Sequence, residues 1–153
     1  RGREQAAALR AVVDGTAFEG LWSSDLRRAV ESARLLRGEP RTDPRLRECH
    51  FGELEGCTYA DADGAYREVF GRFRGFAAPG GESHAELRER VRAFVAELAP
   101  GRHLLVAHGG VIRVLTQDLG LDRFVATGSL VVLDWPAQRV LRVHEPGNIA
   151  ISG

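Results

Sequence analysis

The chain has 153 residues, 44% of them hydrophobic and 27% charged, with 21 basic and 21 acidic side chains. That length and composition fit one globular domain that buries roughly 68–70% of its unfolded surface. Zero formal charge argues against a general polyanion binder such as a nucleic-acid-coating protein, and no run of about 18 apolar residues offers a membrane span. All the basic residues are Arg, which base composition of the genome explains. Cys49 and Cys57 form neither a disulfide framework nor a zinc pattern, so a reducing, cytoplasmic compartment is the expectation.

Strand-like and helix-like segments alternate along the chain, the pattern of an α/β fold with a mostly parallel sheet. Arg1–Val13 reads as a helix with Leu9, Val12 and Val13 on one side. Gly20-Leu21-Trp22 approaches a short strand ending at Ser23-Ser24. In SDLRRAVESARLLRG, Ser24 is expected to cap a helix, Asp25 to suit its positive end and Gly38 to close it. Leu26, Ala29, Val30, Ala33 and Leu36 fall at helical spacing and mark the core face. Arg27, Arg28 and Arg34 lie off that stripe. Pro40 and Pro44 punctuate a short extended segment. Cys49–Gly81 is the least regular stretch, with one or two short helices expected within Tyr59–Phe76. Ser83 and Glu86 form a capping box ahead of a helix whose core face is Leu87, Val91, Phe94, Val95 and Leu98. HLLVAH is a buried strand, Val111–Leu119 a helix closed by Gly120, and SLVVLDW-PAQ-RVLRVH a hairpin.

Chemistry gathers at four places. Arg28 sits one turn into a helix that follows a strand. Glu48 lies in RLRECHFGELEG, with Glu53 and Glu55 expected to face solvent. Gly80-Gly81-Glu82-Ser83 makes a tight loop before a capped helix. His108-Gly109-Gly110 joins strand to helix, where two glycines imply a close backbone approach. Arg28, Glu48 and His108 all follow predicted strands, so a parallel sheet brings them to its carboxyl edge. Helix N-termini meet there and favour an anion. An Arg, a His and such termini make a phosphate pocket, and a carboxylate beside them can protonate a leaving oxygen. Taken singly, Arg28 and Glu48 read more readily as solvated surface charges. His84 and His103 are expected at the surface; His50 and His144 fit structural roles. LVAHGGVIR lacks the G-x-G-x-x-G spacing of a dinucleotide fold.

The ordered set WSSDLRRA, LRECHFGELEG, APGGES and LLVAHGGVIR closely resembles the histidine phosphatase superfamily, the phosphoglycerate mutase-like family, over nearly the whole chain. The resemblance implies a doubly wound α/β domain, helices on both faces of a mostly parallel sheet, acting through a phosphohistidine without metal or cofactor. It implies that Arg28 and His108 bind the phosphoryl oxygens, that Gly109 lets the backbone come close to the phosphate, and that Glu48 is the acid/base. The family's nucleophile and first Arg lie in an Arg-His-Gly motif, which is absent from these residues. With an Arg rather than a Met at position 1, the expectation is an N-terminally incomplete single domain, its first strand and nucleophile upstream. The compact stretch Gly56–Gly81 favours a phosphatase of small phosphomonoesters over a mutase; a non-catalytic phospho-ligand-binding domain is the other alternative. No nucleic-acid or membrane partner is expected, and a homodimer is left open.

Overall fold

The computed structural model describes residues 2–57, 67 and 73–147. Helix α1 (Gly2–Val13) leads to strand β1 (Gly20–Ser23), helix α2 (Arg27–Leu36) and strand β2 (Arg41–Thr42). Two 3₁₀ turns, Pro44–Leu46 and Gly52–Leu54, carry the chain across the edge of the sheet. Helix α3 (His84–Ala96), strand β3 (His103–Val106) and helix α4 (Gly109–Thr116) follow, and β4 (Leu130–Asp134) with β5 (Arg139–His144) closes the described fold.

The sheet order is β2-β1-β3, all parallel, with β4-β5 a separate antiparallel hairpin. This is the α/β architecture with a mostly parallel sheet that the alternating pattern predicts. Register explains its two-sided core. Trp22 lies opposite Leu105, and both turn into a core built on Leu87, Val91 and Phe94 of α3 and Val111, Val114 and Leu115 of α4. The Trp22 and Phe94 rings meet edge to face at 5.4 Å. The pleat sends Leu21 and Leu104 to the other face, where α2 touches β1 and β3 and α1 packs on α2. Buried Ala29 and Ala33, one turn apart on α2, let those helices approach closely. Leu133 and Trp135 fasten the hairpin to the larger core.

The expected Ser83–Glu86 capping box is formed: the Glu86 N–H donates to Ser83 Oγ, and the Ser83 N–H to Glu86 Oε2. Three local expectations change. α2 starts at Arg27 with Leu26 as its uncapped N-cap; Ser24 Oγ accepts from the Leu26 N–H instead, and Asp25 pairs with Arg47. α4 begins at Gly109 and ends at Thr116, shifted toward its N-terminus because both glycines fit its first turn. The Pro40–Pro44 segment is extended only at Arg41–Thr42. The helices expected within residues 59–76 fall almost wholly outside the described residues, and residues 73–76 form a turn.

Leu87 is fully buried between α3 and α4. Leu87→Ala is expected to lower unfolding free energy by about 2–5 kcal/mol, since the cavity cannot fully collapse. Urea denaturation should show a lower midpoint at unchanged slope.

Candidate active site

The carboxyl ends of β1, β2 and β3 lie along one edge, where the ladder continues through Ser24 N–H to Val106 O and Asp43 N–H to Ser23 O. The segments leaving that edge carry Arg28, Glu48 and His108. Asp25 holds Arg47 through two hydrogen bonds of 2.7 and 2.6 Å, which ties the entry of α2 to the residue before Glu48. Arg28, on the solvent side of α2, brings Nη2 to 3.3 Å from His108 Nδ1.

That contact fixes the state of His108. A guanidinium only donates, so Nδ1 must accept and the ring proton sits on Nε2. His108 Nε2 is buried and has no partner among the described residues. Burial, helped by the charges of Arg28 and Arg90, pushes the pKa of His108 down from 6.5 to about 4. The site therefore holds a neutral imidazole with an unused donor beside an arginine, an arrangement that lacks an acceptor and suits a phosphoryl oxygen.

Glu48 reaches the same place from the other side. Its Oε1 accepts from the N–H of Cys49 at 2.9 Å and of Gly110 at 3.2 Å, while Oε2 has only a 3.4 Å approach to Gly110 N. The carboxylate thus sits on the first turn of α4, where the helix dipole favours negative charge. A Cβ on Gly110 would lie 2.4 Å from Oε1, so any side chain there would push the Glu48 carboxylate off the start of α4. A Cβ on Gly109 would meet Phe124 at 3.2 Å and Glu48 Oε2 at 4.0 Å. The close approach foreseen at the glycine pair is thus most severe at Gly110, and its neighbour is a carboxylate of the chain itself.

Sequence reasoning missed the device that holds Glu48. Arg90, on α3, donates to both oxygens of Glu82 at 2.6 and 2.9 Å and to the carbonyls of Arg45, Arg47 and Glu48 at 2.6, 2.9 and 3.2 Å. Burial works to raise the pKa of Glu82, but Arg90 and the His50 N–H outweigh it and hold the carboxyl below its ordinary value. The available signal was Glu82 in the GGES loop, eight residues before an Arg on the helix it opens. The same loop crosses the Glu48 segment backbone on backbone: Glu82 N–H donates to His50 O and Glu53 N–H to Pro79 O. A Cβ on Gly81 would come to 2.4 Å from His50 O.

The remaining candidates separate cleanly. Glu53 and Glu55 are exposed, Glu55 accepting from the Phe51 N–H. His84 is not a surface residue: it is half-buried, lies 3.0 Å from Gln117 Oε1 and packs edge-on against Phe73. His103 is likewise half-buried, with Nε2 2.8 Å from Ala99 O. Cys49 adjoins Glu48, but burial and the nearby carboxylates push its thiol up to about 12, too high for a nucleophile at neutral pH. Among the described residues no three His, Cys, Asp or Glu gather as a metal site, and no helix is long and apolar enough to cross a membrane.

Comparison with known proteins finds phosphatases and a phosphoglycerate mutase among the relatives of this chain. A glucosyl-3-phosphoglycerate phosphatase of Mycobacterium tuberculosis is 38% identical over 156 residues, covering 89% of this chain and 66% of the relative; the chain thus spans slightly less than two thirds of that protein's length. An adenosylcobalamin/alpha-ribazole phosphatase of Escherichia coli is 31% identical over 78% of this chain and 64% of the relative. The crystal structure of a phosphoglycerate mutase from Thermus thermophilus superposes with a TM-score of 0.83 at 42% identity, covering 92% of this chain and 80% of that one. The family described as Histidine phosphatase superfamily (branch 1) matches residues 1–144, and the chain belongs to it.

Proposed function

We propose that the protein carrying this chain hydrolyses small phosphomonoesters through a phosphohistidine intermediate. The observation that carries the reading is the convergence of Arg28, the Nε2 donor of His108 and the Glu48 carboxylate at one sheet edge. The described residues supply no nucleophile, and the family's Arg-His-Gly histidine fills that role. Its ring nitrogen attacks phosphorus, forming a P–N bond as the P–O bond to the alcohol breaks. Arg28 and His108 Nε2–H meet the charge on the equatorial oxygens. Glu48 enters each turnover protonated, having taken its proton from the attacking water of the turnover before, and Oε2, the oxygen with the weaker backbone contact, gives that proton to the departing alkoxide. Glu48 then takes a proton from the water that attacks the phosphohistidine, and the P–N bond breaks to release phosphate.

The mycobacterial relative is named for glucosyl-3-phosphoglycerate, and phosphate esters of sugar acids and other aliphatic alcohols are the class to which we assign this site. Their alkoxides need a proton on leaving, which gives Glu48 its work. Free Cys49 and Cys57 support a reducing, cytoplasmic setting, and we read the chain as a single domain.

The first test is Glu48→Gln. Turnover of an alkyl phosphate is expected to fall by about 10²–10⁴-fold, with a much smaller loss on 4-nitrophenyl phosphate, whose leaving group hardly needs protonation. Equal losses on the two substrates would remove Glu48 from the acid role. His108→Ala is expected to lower kcat by about 10²–10³-fold by deleting a donor to the developing charge, with the circular dichroism spectrum unchanged; wild-type turnover would contradict the assignment.

A third test uses acid stability. His108 titrates near 6.5 unfolded and near 4 folded. Between those values the unfolded chain binds the extra proton, so stability falls as pH drops through the window and is fully present above it. His108→Asn should flatten the decline between pH 6.5 and 4, read as the denaturation midpoint against pH. A parallel decline in both proteins would show that His108 is not held neutral.

A further inference from the structure

We infer that Phe124 is a specificity-determining wall of the site, the surface against which the alcohol portion of the phosphomonoester lies, and that it favours alcohols presenting a flat apolar face. This inference rests on the phosphatase reading for the identity of the ligand. The geometry begins at Gly109. One Cβ position there lies 3.2 Å from Phe124 Cδ1 and 4.0 Å from Glu48 Oε2. The ring edge and the carboxylate oxygen therefore flank the same point at the start of α4, next to His108. A leaving oxygen that takes a proton from Oε2 brings the first atoms of its alcohol against the ring.

Phe124 is 48% exposed on a well-anchored loop. The loop is held on both sides of it. Asp122 accepts from Arg74 at 2.8 Å and Arg113 at 2.9 Å. Arg123 makes two hydrogen bonds to Glu145, of 2.8 and 3.0 Å. The ring itself is braced: the Arg113 guanidinium lies over it at 4.7 Å from the centroid, and Phe73 meets it edge to face at 5.3 Å. Arg113 is largely buried and also stacks over Phe73 at 4.5 Å. Arg113 thus takes one face of Phe124 and Phe73 packs against it edge to face, which leaves 48% of the residue exposed. Holding an aromatic ring rigid and exposed forgoes the free energy of burying it; a ligand that covers it recovers that free energy, with little ordering cost because the ring is already fixed.

The wall acts on ground and transition states alike, so its loss should appear in KM and not in kcat. The experiment compares wild type, Phe124→Ser and Phe124→Leu in the protein that carries this chain, each first shown to melt cooperatively. The probes are phenyl phosphate, phosphoserine and inorganic phosphate, read by calorimetric binding and by steady-state kinetics. Wild type is expected to bind phenyl phosphate several-fold more tightly than inorganic phosphate. Phe124→Ser should weaken phenyl phosphate by about tenfold and phosphoserine, whose alcohol covers less of the ring, by a smaller factor, with the affinity for inorganic phosphate held within about twofold. Phe124→Leu should fall between. Equal weakening of all three probes, or an unchanged preference for phenyl phosphate in both variants, would overturn the wall. A protein that hydrolyses none of the esters yet loses phenyl phosphate selectively in Phe124→Ser would refute the phosphatase reading and support the wall.

Discussion

The contact between the Glu48 carboxylate and the first turn of α4 organises the molecule. It joins two segments that are 62 residues apart in sequence, and it works only because position 110 carries no side chain. The carboxylate is held from three directions: by the N–H of Cys49 behind it, by the helix terminus in front, and by the Arg90 fork gripping the carbonyls of its own segment. Glu48 is seated at the start of α4, and His108, the N-cap of that helix, meets Arg28. Glu48 is positioned by backbone N–H groups, whereas Arg28 and His108 meet through a pairing of their side chains.

Local features were readable from the residues. The capping box of α3, the apolar stripes on α2 and α3 and the final hairpin all follow from short-range periodicity and turn chemistry, and their positions in the structure agree. Arg28, Glu48 and His108 could be brought to one edge because parallel strands end on the same side. The pairings between distant segments could not be read. Arg90 resembles any other arginine on α3, and nothing within its helix reports that it is half-enclosed by the chain around Glu48. Asp25 illustrates a related limit: its place before a helix invites a dipole argument, yet Arg47, 22 residues on, is the partner that claims it. The glycine pair announced a close approach without naming what approached.

The absence of lysine has a structural counterpart. Arg34 with Glu39, Arg45 with Glu97, Arg47 with Asp25, Arg90 with Glu82 and Arg123 with Glu145 all meet through two parallel hydrogen bonds. That geometry belongs to the guanidinium fork, and a lysine ammonium cannot reproduce it. Exposed pairs of this kind add about 0–1 kcal/mol each, so their main effect is to fix the direction of loops. The Arg123 and Arg47 pairs do this where the loop direction bears on the site.

The burial of Cys49 separates the reactivity of the two thiols. With its pKa pushed up to about 12, Cys49 is almost wholly protonated at neutral pH and presents no thiolate to an alkylating or oxidising agent. Cys57 is exposed. A maleimide or a mild oxidant added to the folded chain therefore reaches Cys57 first and leaves the residue beside Glu48 intact. Within this chain Cys57 is a natural handle for a fluorophore or a surface tether, and modification of the inner thiol becomes a chemical report that the fold around Glu48 has opened.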